Sequence, residues 1–310
     1  MPEKADPVRV IGYRQQRTLA NATEIEGVGF ITGARVRVRF RPAPINTGRV
    51  FRRIDRPAAA AIPASAECVT GTDRRTTLGP PPHGVTLVEH LLAALAGLRI
   101  DNCLIELDGP EPPGLDGSAD GFATVLARAG TVIQSASRPI YTPTAPVVVS
   151  RDGATIGLHP AADTELRASY LLDYGVFAPI PRQTFTFDVR PGEFTREVSS
   201  SRTFVTATEA DALRAQGIGK HLTPADLVVF GNRGPIHNRL RFADEPARHK
   251  VLDLIGDQAL CGFDLAGHVV AYRSGHALNV ELARTLTAAV GSLGHPVYRS
   301  SSDSAAARVA

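Results

Sequence analysis

Cysteine is scarce in this chain. The 310 residues include three cysteines, which are widely spaced, and no C-x-x-C pair. An odd number of dispersed cysteines indicates a reducing compartment and excludes a zinc site built from thiolates. The first seven residues, MPEKADP, contain no basic-plus-apolar leader, and no apolar run approaches the length of a membrane span. We therefore predict a cytoplasmic protein without a transmembrane segment.

Strong net charge and low-complexity segments are also absent. The formal net charge of +3 is too small to indicate a nucleic-acid partner, although it does not oppose an anionic substrate. With 43% apolar and 21% charged residues the composition is that of a soluble globular protein, and 310 residues are enough for two domains. We expect a monomer that acts on a small molecule and binds no nucleic acid, with a disordered tail at residues 300–310.

Hydrophobic periodicity separates strands from helices in the first half. Residues 34–41 alternate strictly, with Val36, Val38 and Phe40 on one side and arginines on the other, which predicts a half-buried strand. The arginine row could bind nucleic acid, but a solvated strand face is the favoured interpretation. The other predicted elements of this half are a buried helix at 87–98, a strand at 102–108 and a helix near 121–128.

A stretch typical of a linker, QSASRP at residues 134–139, divides the chain. Strands precede helices again after it. Strands are predicted at 145–150, 154–159, 166–174, 183–189 and 268–273, and helices near 209–216, 246–261 and 276–293. This order indicates an α+β fold in which sheet packs on helices, built twice. We predict domains at residues 1–136 and 137–310, although no residue-level repeat supports a duplication.

One predicted helix of the second half carries polar residues at a regular spacing. His249, Asp253 and Asp257 recur at four-residue steps, so they stack along one face of the helix. A solvated face with a His–Asp pair would explain this spacing. An imidazole and a carboxylate one turn apart could instead reach a single metal ion. The helix alone leaves both interpretations open.

Two further polar residues lie in the nearly all-apolar helix of the first half. Glu89 and His90 need partners there, because a buried charge or imidazole without one costs several kcal/mol. Glu89 fits a capping box with Thr86, and a lone His90 is more often a satisfied core residue than a ligand. Together, however, His90, His249 and Asp253 would form a two-histidine, one-carboxylate set typical of hydrolytic zinc. Such a metal acidifies its bound water, and Glu89 could accept the proton.

Seven segments of the chain resemble the zinc-dependent UDP-3-O-acyl-N-acetylglucosamine deacetylases, which catalyse the committed step of lipid A synthesis in Gram-negative bacteria. They run in family order over nearly the whole chain. The segments are QRTL at Gln16, RPAPINTGRVFRR at Arg41, VEHLLAALAGLRIDN at Val88, ELDGPEPPGLDGSA at Glu106, SRTF at Ser201, LRFADEPARHKVLDLIGD at Leu240 and GHVVAYRSGHALN at Gly267. The resemblance implies two similar domains, each a small sheet on a pair of helices, with the active site between them.

The resemblance also implies roles for individual residues. His90, His249 and Asp253 would bind Zn²⁺, or Fe²⁺, which accepts similar ligands. Glu89 matches the general base of the family. His276 matches the general acid on the leaving amine, and Asp257 matches the residue that holds this histidine. Thr203 matches a hydroxyl donor to the oxyanion, Lys250 and Arg273 match positions at the substrate diphosphate, and Phe204 matches a wall of the sugar–uridine pocket. Thr203 could also be a strand-end hydroxyl, and Arg273 a solvated charge.

The chain departs from the family pattern at two places. Ile31 stands where the family has a histidine that is not a metal ligand, so zinc binding should persist. His221 and Leu222 stand where the family has Gly-Gly-Ser beside the passage for the acyl chain. Larger side chains there should narrow or reroute the passage. We expect intact chemistry with an altered acyl specificity.

Two other functions stay open from the sequence. One is a related zinc amidohydrolase with a different N-acylated sugar as substrate. The other is a non-catalytic relative that binds a nucleotide sugar or a protein, against which the complete set of catalytic residue types weighs.

Overall fold

The computed structural model describes residues 6–293, and its mixture of small sheets and helices confirms the α+β class. Its helices are α1 (Glu89–Gly97), α2 (Asp120–Ala129), α3 (Pro191–Glu197), α4 (Ala207–Ala215), α5 (Glu245–Gln258) and α6 (His276–Ser292). Its strands are β1 (Val8–Leu19), β2 (Thr23–Val28), β3 (Arg35–Pro42), β4 (Arg49–Arg53), β5 (Ile62–Pro63), β6 (Val69–Gly71), β7 (Thr77–Leu78), β8 (Val85–Thr86), β9 (Cys103–Leu107), β10 (Thr131–Pro143), β11 (Val147–Arg151), β12 (Ala154–His159), β13 (Leu166–Leu172), β14 (Gln183–Asp188), β15 (Phe204–Thr206), β16 (Val228–Gly231), β17 (Gly234–Pro235), β18 (Asp264–Leu265) and β19 (Gly267–Tyr272). The tail at 300–310 lies outside the described residues. Within residues 6–293, no helix is long and apolar enough to cross a membrane.

Two five-stranded sheets share one strand order. The first runs β2-β3-β9-β4-β5 and the second β11-β12-β19-β13-β14. In each sheet the central strand pairs antiparallel with one neighbour and parallel with the other. One helix precedes each central strand and another follows it: α1 and α2 around β9, and α5 and α6 around β19. The matched order indicates a structural duplication, while the boundary after residue 136 stays a prediction.

The arginine row of β3 faces carboxylates. Val36, Val38 and Phe40 are buried on the opposite side, and Phe40 packs edge-on against Phe122 of α2, with 6.4 Å between ring centroids. The arginines at 35, 37, 39 and 41 pair with Glu26, Asp108, Glu24 and Glu106, which lie on or next to the neighbouring strands. Because each guanidinium has a carboxylate partner, a solvated strand face accounts for the row.

Residues 134–139, predicted to be a linker, lie inside the long strand β10. This strand pairs antiparallel with β1 and, at one end, parallel with the short strand β18. The polar side chains that suggested a linker have partners. Oε1 of Gln134 accepts from Nδ2 of Asn102 at 2.7 Å, and Nε of Arg138 donates to Oδ1 of Asp264 at 2.6 Å. The expected linker conformation is therefore wrong, because distant pairing stabilises a polar strand.

Helices α1 and α5 cross in direct contact. A Cβ atom on Gly256 of α5 would lie 2.1 Å from the carbonyl oxygen of Glu89, the first residue of α1. Only glycine lets two backbones approach this closely. Every residue of α1 except Ala96 is buried, as its nearly all-apolar pattern predicts. The crossing brings the start of α1 against the last turn of α5.

Candidate metal centre and active site

The first turn of α1 and one face of α5 supply the core of the site. Glu89 and His90 begin α1, and both are buried, with exposures of 3% and 5%. His249, Asp253 and Asp257 are also buried along α5. The solvated-face interpretation of their four-residue spacing is therefore wrong.

His90, His249 and Asp253 converge across the helix crossing. Each offers one ligand atom, and these atoms all lie within 4.8 Å of one another. Oδ1 of Asp253 is 3.4 Å from Nε2 of His249 and 3.6 Å from Nε2 of His90. Ligands about 2.1 Å from a tetrahedral ion stand about 3.4 Å apart. The spacing therefore suits three ligands of one metal ion.

The chemistry of these side chains also fits a cation. Oδ1 of Asp253 is buried and has no hydrogen-bond partner among residues 6–293, an arrangement that costs free energy without an ion. Nδ1 of His249 donates to the carbonyl oxygen of Ser201 at 3.1 Å, which leaves the Nε2 lone pair for a metal. Burial lowers the pKa of His249 to about 4 in spite of Asp253, so its imidazole is neutral. Neutral imidazole is the form that ligates.

Glu89 does not cap its helix. The N-cap of α1 is Val88, which makes no side-chain capping bond, and the hydroxyl of Thr86 instead pairs with that of Thr77 at 2.7 Å. The capping-box alternative is therefore wrong.

The Glu89 carboxylate instead faces the ligand cluster. Oε2 accepts from the backbone N–H of Thr76 at 3.0 Å, and Oε1 lies 4.0 Å from Nε2 of His276. Burial raises the pKa of Glu89, although the neighbouring imidazoles of His276 and His90 oppose the shift. A carboxylate with a raised pKa is a stronger proton acceptor than an exposed one.

His276 begins α6 and has its own carboxylate partner. Its Nδ1 donates to Oδ2 of Asp257 at 2.9 Å, and the same oxygen accepts from Nδ2 of Asn279 at 2.9 Å. Nε2 of His276 lies 4.0 Å from Oδ2 of Asp253. Burial would lower the pKa of His276, but Asp257 and Glu89 outweigh it and raise the pKa to about 9. The protonated ring can donate a proton into the site.

Thr203 lies both at a strand end and at the cluster. It immediately precedes β15, and its Oγ1 is 3.4 Å from Nε2 of His90 and 3.3 Å from Nε2 of His249. The two interpretations of this hydroxyl are therefore compatible.

Lys250 and Phe204 line the cavity beside the cluster. Nζ of Lys250 donates to Oδ2 of Asp253 at 2.8 Å. Burial would lower the pKa of Lys250, but Asp253 outweighs it and raises the pKa, so the ammonium stays charged. The Phe204 ring is 8% exposed and packs edge-on against His249 and Tyr174, with ring centroids 6.0 Å apart in both pairs.

Arg273 is placed differently. Its Nη2 pairs with Oδ2 of Asp173 at 3.0 Å, and its side chain is 40% exposed. The residues that line the cavity within 6–293 do not include Arg273. The structure therefore does not bring it to the cluster with the other predicted site residues.

The cavity has a volume of about 360 Å³ and extends away from the ligands between apolar walls. These walls include Phe30, Ile31, Leu213, Ile218, Leu222 and Leu227. Three arginines, at positions 74, 75 and 214, also line it. Such a space suits an anionic molecule with an apolar arm.

The two unusual residues of the loop between α4 and β16 have different surroundings. Leu222 lines the cavity. His221 reaches across the molecule, and its Nε2 donates to the carbonyl oxygen of Gly29 at 2.9 Å. A Cβ atom on Gly33 would lie 2.9 Å from the same ring. His221 therefore links this loop to the turn that follows β2.

Sequence reasoning missed two residues that hold the site together. Asn279, one turn after His276, donates to Asp257, and its i+3 position is a signal that could have revealed it. Thr76 bonds both Glu89 and Asp257 from a short loop, and no local pattern marks it.

Comparisons with known proteins identify one family. A family model described as LpxC, UDP-3-O-acyl N-acetylglycosamine deacetylase, matches residues 16–288. A protein of Thermosynechococcus vestitus named UDP-3-O-acyl-N-acetylglucosamine deacetylase is 42% identical over 271 residues, which cover 87% of this chain and 93% of that protein. Proteins of the same name from Nostoc sp. and Myxococcus xanthus are 38% identical over 279 residues and 40% identical over 270 residues. These matches cover 88% and 87% of this chain, and 99% and 85% of those proteins.

Proposed function

This chain belongs to the UDP-3-O-acyl N-acetylglycosamine deacetylase family, and we propose that it hydrolyses the N-acetyl group of UDP-3-O-acyl-N-acetylglucosamine in lipid A biosynthesis. The products are acetate and the free amine. One observation carries the proposal: a buried carboxylate, Glu89, and a buried imidazole, His276, face each other at 4.0 Å beside a three-ligand cluster. A proton acceptor, a proton donor and a metal site are the parts that metal-dependent amide hydrolysis uses.

We propose that His90, His249 and Asp253 hold Zn²⁺. Two neutral nitrogens and one carboxylate oxygen leave a fourth position open, as in catalytic zinc sites. Fe²⁺ accepts similar ligands. When bound, the ion would supply a Lewis acid that polarises the amide carbonyl and acidifies a water molecule.

The side chains of the protein would move the protons. Glu89 takes a proton from the water molecule while the oxygen of that water bonds to the acetyl carbon. The hydroxyl of Thr203 donates to the oxygen that gains negative charge. His276 then gives its Nε2 proton to the amide nitrogen as the C–N bond breaks, so that the amine leaves neutral. The imidazole donates from Nδ1 to the carboxylate of Asp257, and this hydrogen bond directs Nε2 into the site.

Lys250 and Phe204 would bind the rest of the substrate. The partly buried, charged ammonium of Lys250 suits the diphosphate, and the ring of Phe204 suits the flat faces of the sugar and uridine. Arg273 has weaker support for a diphosphate contact, because it is not among the described residues that line the cavity and its guanidinium is paired with Asp173.

We further propose that the cavity restricts the acyl chain. The support is the position of Leu222 in the apolar wall and the hydrogen bond that ties His221 to Gly29. A bulky side chain on a tethered loop leaves less room than Gly-Gly would. A chain shorter than the usual long hydroxyacyl group is therefore the expected substrate.

The cellular setting is also a proposal. All three cysteines are free thiols, which supports a reducing compartment such as the cytoplasm. The division into domains 1–136 and 137–310 has the support of the two matched sheets. The monomeric state stays a prediction, which light scattering would test.

Acetate release tests the central proposal. The purified protein is incubated with UDP-3-O-acyl-N-acetylglucosamine, and mass spectrometry follows loss of the acetyl group. We expect turnover that stops on chelation of the metal and returns with Zn²⁺. A protein with full metal content and no turnover on any acyl length would instead be a non-catalytic binder or would act on a different N-acylated sugar.

A further inference from the structure

Thr76 contacts both sides of the catalytic machinery. It lies fully buried, immediately before β7. Its backbone N–H donates to Oε2 of Glu89 at 3.0 Å, and its Oγ1 donates to Oδ1 of Asp257 at 2.6 Å. Oγ1 is also 3.4 Å from Nδ1 of His276. Thr76, which precedes β7 of the small sheet β6-β7-β8, therefore contacts groups on α1, α5 and α6.

The hydrogen bonds around Asp257 give the threonine hydroxyl a defined task. Oδ2 of this carboxylate accepts from Nδ1 of His276 and Nδ2 of Asn279. Oδ1 accepts from Thr76. With both oxygens bound, the carboxylate cannot turn about its Cβ–Cγ bond without breaking a buried hydrogen bond, which is unfavourable. The plane of the carboxylate in turn sets the direction of the imidazole.

We propose that Thr76 is a positioning residue that sets the geometry of the base and the acid together. Its backbone holds the Glu89 carboxylate, and its hydroxyl holds Asp257, through which it orients His276. The inference rests on the proposed function, in which Glu89 accepts a proton and His276 donates one. Substitution of a residue that hydrogen-bonds to functional groups in this way typically changes activity 10–100-fold.

Two substitutions distinguish the effect of the Thr76 hydroxyl from the effect of the side-chain shape. Thr76→Val keeps the volume and the backbone N–H but removes the donor to Asp257, and Thr76→Ser keeps the donor. We expect Thr76→Val to lower kcat by about 10–100-fold with KM and metal content unchanged, and Thr76→Ser to stay close to the wild type. Thr287→Val is the matched control, because Thr287 is also buried and its hydroxyl donates to the Ala283 carbonyl within α6. The control should lose stability without losing kcat.

A double-mutant cycle tests whether Thr76 acts through Asp257. If it does, Thr76→Val should lower kcat much less in the Asp257→Asn variant than in the wild type. Equal losses in both backgrounds, or equal losses in Thr76→Val and Thr76→Ser, would overturn the proposal. Should Thr76→Val fail to fold, Thr76→Ala removes the same donor without adding a methyl group where the hydroxyl was.

A spectroscopic measurement keeps this inference apart from the proposed function. The Nδ1 proton of His276, bound to Asp257, should give an NMR signal that resists exchange with water, and Thr76→Val should weaken or shift it. A wild-type protein that shows this signal but releases no acetate would refute the substrate assignment and not the positioning. A signal unaltered by Thr76→Val would refute the positioning, whatever the activity.

Discussion

At the scale of single residues, substitutions of the proposed base and of a proposed metal ligand should have different effects. Glu89→Gln keeps the shape and the bond from Thr76 but cannot accept a proton, so we expect full metal content with turnover reduced about 10²–10⁴-fold. His249→Ala should lose both metal and turnover, because it removes a ligand nitrogen. Metal analysis and acetate release on the same samples distinguish the two. Glu281→Gln, an exposed change on α6, is the control; full activity in Glu89→Gln would show that another group is the base.

The sequence predicts these residues to different degrees. The spacing of His249 and Asp253 places both on one helix face, and their chemistry suggests a metal. His90 lies 159 positions before His249, so only the family resemblance could join it to them. Thr76 escaped prediction altogether, because a backbone N–H and one hydroxyl in a loop leave no periodic signal. Hydrophobic periodicity shows which face of a helix or strand is buried, whereas Thr76 lies in a loop and contacts groups on α1, α5 and α6.

At the scale of elements, the crossing of α1 and α5 determines whether the ligands meet. A Cβ atom on Gly256 would collide with the Glu89 carbonyl at 2.1 Å, so Gly256→Ala must push α1 away and separate His90 from Asp253. We expect weaker metal binding and a stability loss of roughly 1–3 kcal/mol. Gly192→Ala on α3 is the control, since its new Cβ would meet no atom within 4 Å. Unchanged metal affinity in Gly256→Ala would mean that the crossing tolerates displacement.

The loop between α4 and β16 should control acyl length. Leu222→Gly removes a side chain from the cavity wall, and we expect it to raise kcat/KM for longer 3-O-acyl chains. Each methylene newly accommodated is worth about 0.8 kcal/mol, or about fourfold. His221→Gly should act in the same direction by releasing the loop from Gly29. Lys220→Gly, an exposed neighbour, controls for added loop flexibility. A wild-type protein that already prefers the longest chains would contradict the restriction.

At the scale of the whole molecule, the sequence predicted the fold class, but it did not predict that a strand continues through residues 134–139. Strands followed by helices in each half predicted the α+β class, and the helices at 89–97, 245–258 and 276–292 begin and end within a few residues of expectation. The linker at 134–139 was wrong because its polar side chains bond distant residues such as Asn102 and Asp264. The repeated arrangement is visible in the strand order and in the helices around each central strand, and the sequence showed no residue-level repeat.

Asp264, Arg138 and Arg14 form an ion-pair group that joins β18 to β10 and β1. This group should make the stability of the protein depend on pH. Asp264 on β18 binds Arg138 of β10 at 2.6 Å and Arg14 of β1 at 2.9 Å. Burial would raise the pKa of Asp264, but the two arginines outweigh it and lower the pKa from 3.8 to about 2. This carboxylate therefore stabilises the fold by about 2 kcal/mol at neutral pH.

Asp264→Asn should remove that contribution, and urea denaturation would measure it. Because the folded pKa is the lower one, the stabilisation is complete above the unfolded pKa and is lost as pH falls towards 2. The gap between wild type and variant should therefore stay constant from neutral pH to about pH 5 and shrink to less than half by about pH 2.5. Asp211→Asn, which affects an exposed pair at 3.8 Å, is the control and should change little. A gap that is independent of pH would mean that Asp264 acts through packing, and that the two arginines contribute no net attraction between β18 and the strands β1 and β10.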